Sequence, residues 1–314
     1  GKIGIEEYKA PEPIYCTYDG ELKFGTEYTK GIYTYRYHQK GKEAVYADIS
    51  WQDQISIDGW GVQFNDRSNT DDVIEAPCTY INNIPVTSMA YMFNKAKANS
   101  VDLGSFDTSN ITNMEGMFRN SSTKTIDVSG VDTSNVTNMT YMFYKSAVTE
   151  IKGLESFNTS KTTNMSNMFA GSNVTNLDLT ALDTSNVTDM NMMFYENKSK
   201  SIDFSKFDTS KVTNMGKMFA GSTVDVLDLS SFDTSKVTSM YAMFQSSNNK
   251  MIDFSSFNTS SLTSMAEMFR GSKVPSIDLS SFDTSKISSF YFIFADCTAT
   301  SINLTGFDTS NVTN

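Results

Sequence analysis

At 314 residues the chain is long enough for two ordinary domains, and with a formal charge of −11 and a pI near 4.6 it is strongly acidic. The charge argues against nucleic acid, because phosphate binding needs a basic stripe and the lysines and arginines here are scattered; a basic or neutral partner suits better. No apolar run approaches the roughly 18 residues that cross a bilayer, and no signal peptide or anchor motif is visible, so no membrane insertion is expected within this segment.

Residues 1–80 lack any repeat and read as a β-rich N-terminal cap. Ile32-Tyr33-Thr34-Tyr35-Arg36-Tyr37 and Val45-Tyr46-Ala47-Asp48-Ile49-Ser50-Trp51 alternate as half-buried strands do. Three cysteines are too few for a disulfide scaffold, and none forms a Cys-x-x-Cys pair. Cys16 and Cys78 both fall in the cap, and whether they pair is left open at this level. Cys297 stands where Ser146, Ser172, Ser222 and Ser272 stand in other repeats, and reads as a small buried side chain rather than a nucleophile. His38 is the only histidine, so a Ser/His or Cys/His engine would have to depend on it; in a Tyr-rich strand it reads as a packed or surface residue. Gly59-Trp60-Gly61 lacks the further glycine and the helix start of a phosphate loop. No catalytic constellation emerges, and neither an enzyme nor a cofactor is expected.

Residues 81–314 repeat the phrase Phe-Asp-Thr-Ser-x-Val-Thr-Asn-Met-x-x-Met-Phe, anchored at Met89, Met114, Met139, Met165, Met190, Met215, Met240, Met265 and Phe290, in steps of 25 residues with a single step of 26. Such a period identifies a solenoid, whose units bury their apolar faces only by stacking. Each of about nine coils carries an apolar–Asp–apolar strand, as in Leu227-Asp228-Leu229, with the apolar pair inward and the aspartate outward. Identical phrases one coil apart pair in parallel and in register, giving one narrow sheet and a rod roughly 45 Å long. Asp-Thr-Ser is a turn phrase. Met-x-x-Met-Phe has the one-face spacing of a helical turn, so a short helix or 3-10 turn is expected opposite the strand. The fold class expected is thus an α/β repeat solenoid with a β-rich cap. Sixteen of the 18 methionines fall in the two columns from Met89 and Met92 to Met265 and Met268, and core packing is the reading for them. The 26-residue step coincides with Ile151-Lys152-Gly153-Leu154, which has one residue more than other strands and reads as a bulge. The chain starts at Gly1 and stops part-way through a phrase, so it reads as a piece of a longer protein, its array continuing beyond residue 314.

Two surface features are candidate sites. The column Asp102, Asp127, Asp178, Asp203, Asp228, Asp253, Asp278 sets carboxylates one ladder step apart, repelling by roughly 1 kcal/mol each in water. Its last five members, Asp178 to Asp278, form a candidate cation column, against the plainer reading of an exposed face that resists aggregation. The pairs after the first Met vary freely and include Tyr91, Tyr141, Lys217, Tyr241 and Tyr291; of these Tyr141, Lys217, Tyr241 and Tyr291 are the binding candidates, since aromatic anchors concentrate binding energy. Asn-x-Ser/Thr triplets such as Asn135-Val136-Thr137 arise from the repeat itself and say little about glycosylation.

Phe232-Asp233-Thr234-Ser235-Lys236-Val237-Thr238-Ser239-Met240 with Met243-Phe244, preceded by Leu227-Asp228-Leu229-Ser230, resembles the BspA-like leucine-rich repeats of bacterial surface proteins, over roughly residues 81–314. The resemblance implies a right-handed leucine-rich-repeat-like coil, secretion or display at the cell surface, and adhesion to a protein or glycan ligand on host or neighbouring cells. It names no ligand. A spacer that holds another domain away from the cell, and a phage-borne adhesin with the same repeat, are the alternatives.

Overall fold

The computed structural model describes residues 9–45, 52–54 and 57–314. The strand expected over Val45–Trp51 lies almost wholly outside them. In the cap, β1 (Tyr15–Cys16), β2 (Glu27–Lys30), β3 (Tyr33–His38), a separate hairpin of β4 (Glu43–Val45) and β5 (Gln52–Gln54), β6 (Gly59–Phe64), β7 (Tyr80–Ile81) and β8 (Ile84–Ser88) follow in order. A six-stranded sheet runs β1-β7-β8-β6-β3-β2, so the residues leading into the first coil complete the cap sheet. Tyr33, Tyr35 and Tyr37 of β3 alternate inward against Trp60 and Phe64, as the period-2 pattern predicts. The disulfide Cys16–Cys78 ties β1 to the segment before β7, with a Cα–Cα distance of 6.0 Å.

His38, at the end of β3, is 2% exposed, with Nε2 3.3 Å from Thr87 Oγ1. Burial pushes its imidazole down to about 4, against the opposing pull of the Ile57 backbone and the Asp58 carboxylate. The unfolded chain therefore takes up this proton first as pH falls, and stability is lost between pH ~6.5 and ~4, by about 3 kcal/mol. Urea midpoints measured across that window should fall in the wild type and stay level in His38→Gln; equal slopes in both would place the proton elsewhere.

The array is a β-solenoid. Its strands are β9 (Ser100–Asp102), β10 (Thr125–Asp127), β11 (Glu150–Lys152), β12 (Val226–Asp228), β13 (Met251–Asp253), β14 (Ser276–Asp278) and β15 (Ser301–Asn303). Each pairing is parallel and in register, with Asp102 opposite Asp127 and Asp228 opposite Asp253. The strand ladder comes in segments, β9-β10-β11, β12-β13 and β14-β15, rather than as one unbroken sheet.

The expected helical turns are not there, and the α/β class is corrected to an almost purely β solenoid; among the described residues the one helix is the 3-10 turn Leu154–Ser156. Met-x-x-Met-Phe instead folds as consecutive i→i+3 turns: Met218 N–H donates to Met215 C=O at 3.2 Å and Ala220 N–H to Lys217 C=O at 3.2 Å. The N–H groups between these reach the next coil. Met215 donates to Ser239, Lys217 to Tyr241, Phe219 to Met243 and Gly221 to Gln245, at 2.7–3.0 Å, and the same set recurs along the array. The physical reason is spacing. Coils stack at about 4.8 Å, whereas an α-helix is about 10–12 Å wide and keeps its N–H groups for itself. Met, Met and Phe still point inward, because i, i+3 and i+4 share a face in either conformation. All sixteen column methionines are at most 1% exposed. The phenylalanines stack as a ring ladder from Phe93 through Phe219 to Phe294, with centroids 5.3–6.1 Å apart and planes within 22°.

Corners are made by side chains that accept the backbone N–H two residues on. In one coil Asp203 caps Ser205, Asp208 caps Ser210, Asn214 caps Gly216 and Ser222 caps Val224, at 2.8–3.3 Å. The threonine of Asp-Thr-Ser links coils. Thr209 Oγ1, buried, donates to Asp233 C=O at 2.8 Å and accepts its N–H at 2.8 Å, and Thr108, Thr133, Thr184, Thr234, Thr259 and Thr284 make the same reciprocal pair. At about 1 kcal/mol per bond these clamps hold each coil to the next. The extra residue of the 26-residue step is Gly153, at φ +89°; a Cβ there would stand 2.4 Å from Ser129 Cα, and the loop it makes returns Leu154 to the core.

The cap covers the first coil by continuing its ladders. Val73 bridges Val101 on the strand side, Ser88 bridges Asn113 on the turn side, and Phe64 meets Phe93 at 5.5 Å to extend the ring stack.

Candidate functional site

The acidic column faces outward as expected, but its carboxylates are employed by the fold. Asp178 caps Thr180, Asp228 caps Ser230, Asp253 caps Ser255 and Asp278 caps Ser280, as Asp203 caps Ser205. These hydroxyl and N–H donors hold the Asp178, Asp203, Asp228 and Asp278 carboxyls below the usual carboxylate range. At Lys152 the column is interrupted by a cation, opposite Asp127. Among the described residues no group of three or more His, Cys, Asp or Glu side chains converges in a metal-binding arrangement. Since Asn retains the Oδ1 acceptor, Asp228→Asn is expected to stay within about 0.5 kcal/mol of wild type, with millimolar calcium leaving Tm unchanged in both. A calcium-dependent rise in Tm that Asp228→Asn abolishes would contradict this and establish a cation site.

The turn face carries the other candidates. Every coil places two residues of this face in the left-handed region, the first of them at Tyr91, Gly116, Tyr141, Asn167, Met192, Lys217, Ala242, Glu267 and Phe292, with φ between +49° and +59°. Gly and Asn adopt that conformation readily; a bulky residue costs about 1–2 kcal/mol. Tyr91 is fully buried beneath the cap junction, so it is not the outward residue its position predicts. Tyr141 is half-buried, edge-on to Tyr144 at 5.2 Å, and desolvation raises its hydroxyl pKa. Arg119 and Lys145 lie 5.6 and 5.3 Å from the Tyr144 ring centroid.

The structure brings Lys217, Tyr241 and Tyr291 into one stretch of the face and leaves Tyr141 four coils away from Tyr241, about 19 Å along the rod. Lys217 Nζ stands 5.7 Å from the Tyr241 ring centroid, and the Tyr241 hydroxyl donates to Glu267 Oε2 at 3.2 Å. Tyr291 leans on Phe292, their centroids 4.1 Å apart. Glu267, Gln245, Arg270 and Phe292 belong to this cluster and are not among the binding candidates of the sequence; Phe292 shows there only as a departure in the last full coil. The signal that marks Glu267 and Phe292 is a large side chain at the column where Gly116 and Asn167 stand in other coils. Cys297 is half-buried with a free thiol. A cleft of about 480 Å³ lies where Ala10 and Pro11 cross the Asp-Thr-Ser corners. There Asp107 already caps Ser109, and Thr108 already clamps Asp132.

The geometry defines a capped β-solenoid with a structural acidic column and a decorated turn face. The chain belongs to the family described as "Mycoplasma protein of unknown function, DUF285", which matches residues 63–150, 145–251 and 221–314. No curated protein and no solved structure matches the chain. Among the described residues no helix is long and apolar enough to cross a membrane.

Proposed function

We propose that the chain is a non-enzymatic interaction module, displayed at the cell surface, that binds a protein or glycan ligand on host or neighbouring cells through its turn face. The observation that carries this reading is the left-handed column. Tyr141, Met192, Lys217 and Phe292 hold a backbone conformation that Gly or Asn would hold more cheaply, and their side chains remain partly exposed on the turn face. The Cys16–Cys78 disulfide supports an oxidising, extracellular setting. The likeness of the phrase to BspA-like leucine-rich repeats of bacterial surface proteins supports the same assignment. The single histidine, enclosed against Thr87, offers no accessible general base, in keeping with a binding rather than a catalytic role.

The test is adhesion of the full chain to host cells, matrix proteins and mucins, compared with a Tyr141→Asn, Lys217→Asn, Phe292→Asn triple variant, which keeps the left-handed turns and removes the large side chains. Saturable adhesion that weakens about tenfold or more in the triple variant is the expected result. Inert behaviour across the panel, with a neighbouring domain of a longer protein doing the binding, would replace this reading with that of a spacer, which the two inter-coil ladders make stiff enough to serve.

A further inference from the structure

Between the coils anchored at Met240 and Phe290 the turn face forms a slot. Tyr241 and Tyr291 occupy the same position of the phrase two coils apart, so their backbones stand about 10 Å from each other. Ala266 takes that position in the coil between them and carries only a small, half-buried side chain. The flanking rings are no part of the core: Tyr241 is 38%, Tyr291 47% and Phe292 46% exposed. Glu267 lies at the edge of the slot and is 8% exposed, yet its carboxylate is held by three donors. The Tyr241 hydroxyl lies 3.2 Å from it, Gln245 Nε2 3.5 Å and Arg270 Nη1 3.1 Å. Arg270 in turn covers the Phe292 ring at 5.0 Å. Rings and polar groups thus fix one another before any ligand arrives.

Building on the interaction-module reading, we propose that this slot binds a neutral glycan: a pyranose ring sits over Ala266 between Tyr241 and Tyr291, and its hydroxyls bond to Glu267 and Gln245. Two features select that chemistry. An aromatic face carries a negative quadrupole that attracts the polarised C–H bonds on the flat face of a pyranose. A carboxylate, an amide and a phenol side by side both accept and donate, as vicinal hydroxyls require. A protein ligand needs a broad contact surface, whereas the slot is one coil wide. Acidic sugars are disfavoured by the chain's charge of −11 and by the engagement of Arg270 with Glu267 and Phe292.

The experiment titrates the full chain with chitotriose, cellotriose, mannotriose and lactose separately, by calorimetry and by amide chemical shifts. It is repeated with Ala266→Tyr, which fills the slot with a side chain already present at this position in neighbouring coils and so preserves the fold. The expected result is saturable binding of at least one sugar that moves the Ala266 and Glu267 amides and weakens about tenfold or more in Ala266→Tyr at unchanged Tm. No saturable binding by any of the four, or binding indifferent to Ala266→Tyr, overturns the proposal. Cell adhesion of the same samples separates the two claims. Adhesion in a chain that binds none of the sugars removes the glycan slot and leaves the interaction module, whereas sugar binding without adhesion to any surface keeps the slot and removes the cell-surface module.

Discussion

Phe219→Ala is expected to destabilise the array by about 3–5 kcal/mol, the largest effect of any single truncation considered, in the usual range for emptying a buried phenylalanine site. Phe219 is fully buried and stacks on Phe194 at 5.8 Å and on Phe244 at 6.1 Å, while Phe204 meets it edge-on at 5.4 Å. Both neighbouring coils lose their partner at once. The hole cannot close readily, because the Thr209–Asp233 clamp and the turn ladder hold the coils in register on either side. Stability in a solenoid is a sum over units and their interfaces, so a mid-array cavity weakens two interfaces together. Urea melts read by amides of the flanking coils measure the loss; a cost below about 0.5 kcal/mol would mean that the ring ladder is not the core.

Removing the Cys16–Cys78 disulfide is expected to cost the cap about 4 kcal/mol, the chain-entropy value for the 62-residue loop it closes. The pairings Tyr15↔Tyr80 and Cys16↔Ile81 join β1 to the rest of the sheet through only two residues, beside the Asn82 side chain that holds Tyr18 and the Thr79 hydroxyl that accepts from Ile14 N–H. Because Val73 and Ser88 cover the first coil, loss of the bridge should also raise amide exchange at Met89 and Tyr91. Melts of the native chain and of a Cys16→Ala, Cys78→Ala variant give the difference, and a change under about 1 kcal/mol would show that the cap is held by its sheet alone.

Much of this architecture is written in the repeat. The strand phrase is legible because Leu227 and Leu229 alternate with Asp228, and the methionine columns because sixteen of 18 methionines share one period. Asp-Thr-Ser is legible as a turn, though its threonine is not legible as an inter-coil clamp, since a hydroxyl carries no mark of its partner a full coil away. The turn opposite the strand misleads for a specific reason. Met215, Met218 and Phe219 are spaced i, i+3, i+4, a pattern shared by a helical turn and by consecutive β-turns. What separates the two is coil spacing, which leaves no room for a helix, together with Gly116 and Asn167, which mark the left-handed position. Phe64 and Val73 complete the ladders from a cap without any period, and no local pattern distinguishes them from other apolar residues. At the candidate site Tyr241 and Tyr291 are legible as aromatic residues at the freely varying position of the repeat. Glu267 and Arg270 look like ordinary surface charges until the turn brings them beneath the rings.

The turn face is a second inter-coil ladder, which with the threonine clamps sets Tyr241, Ala266 and Tyr291 one coil apart. Scalar couplings across hydrogen bonds, measured by NMR from each amide nitrogen to its acceptor carbonyl carbon, report the pairing directly. The account predicts couplings from Phe219 N to Met243 C′ and from Gly221 N to Gln245 C′. A coupling from Phe219 N to Met215 C′ would instead reveal a helical turn and contradict it.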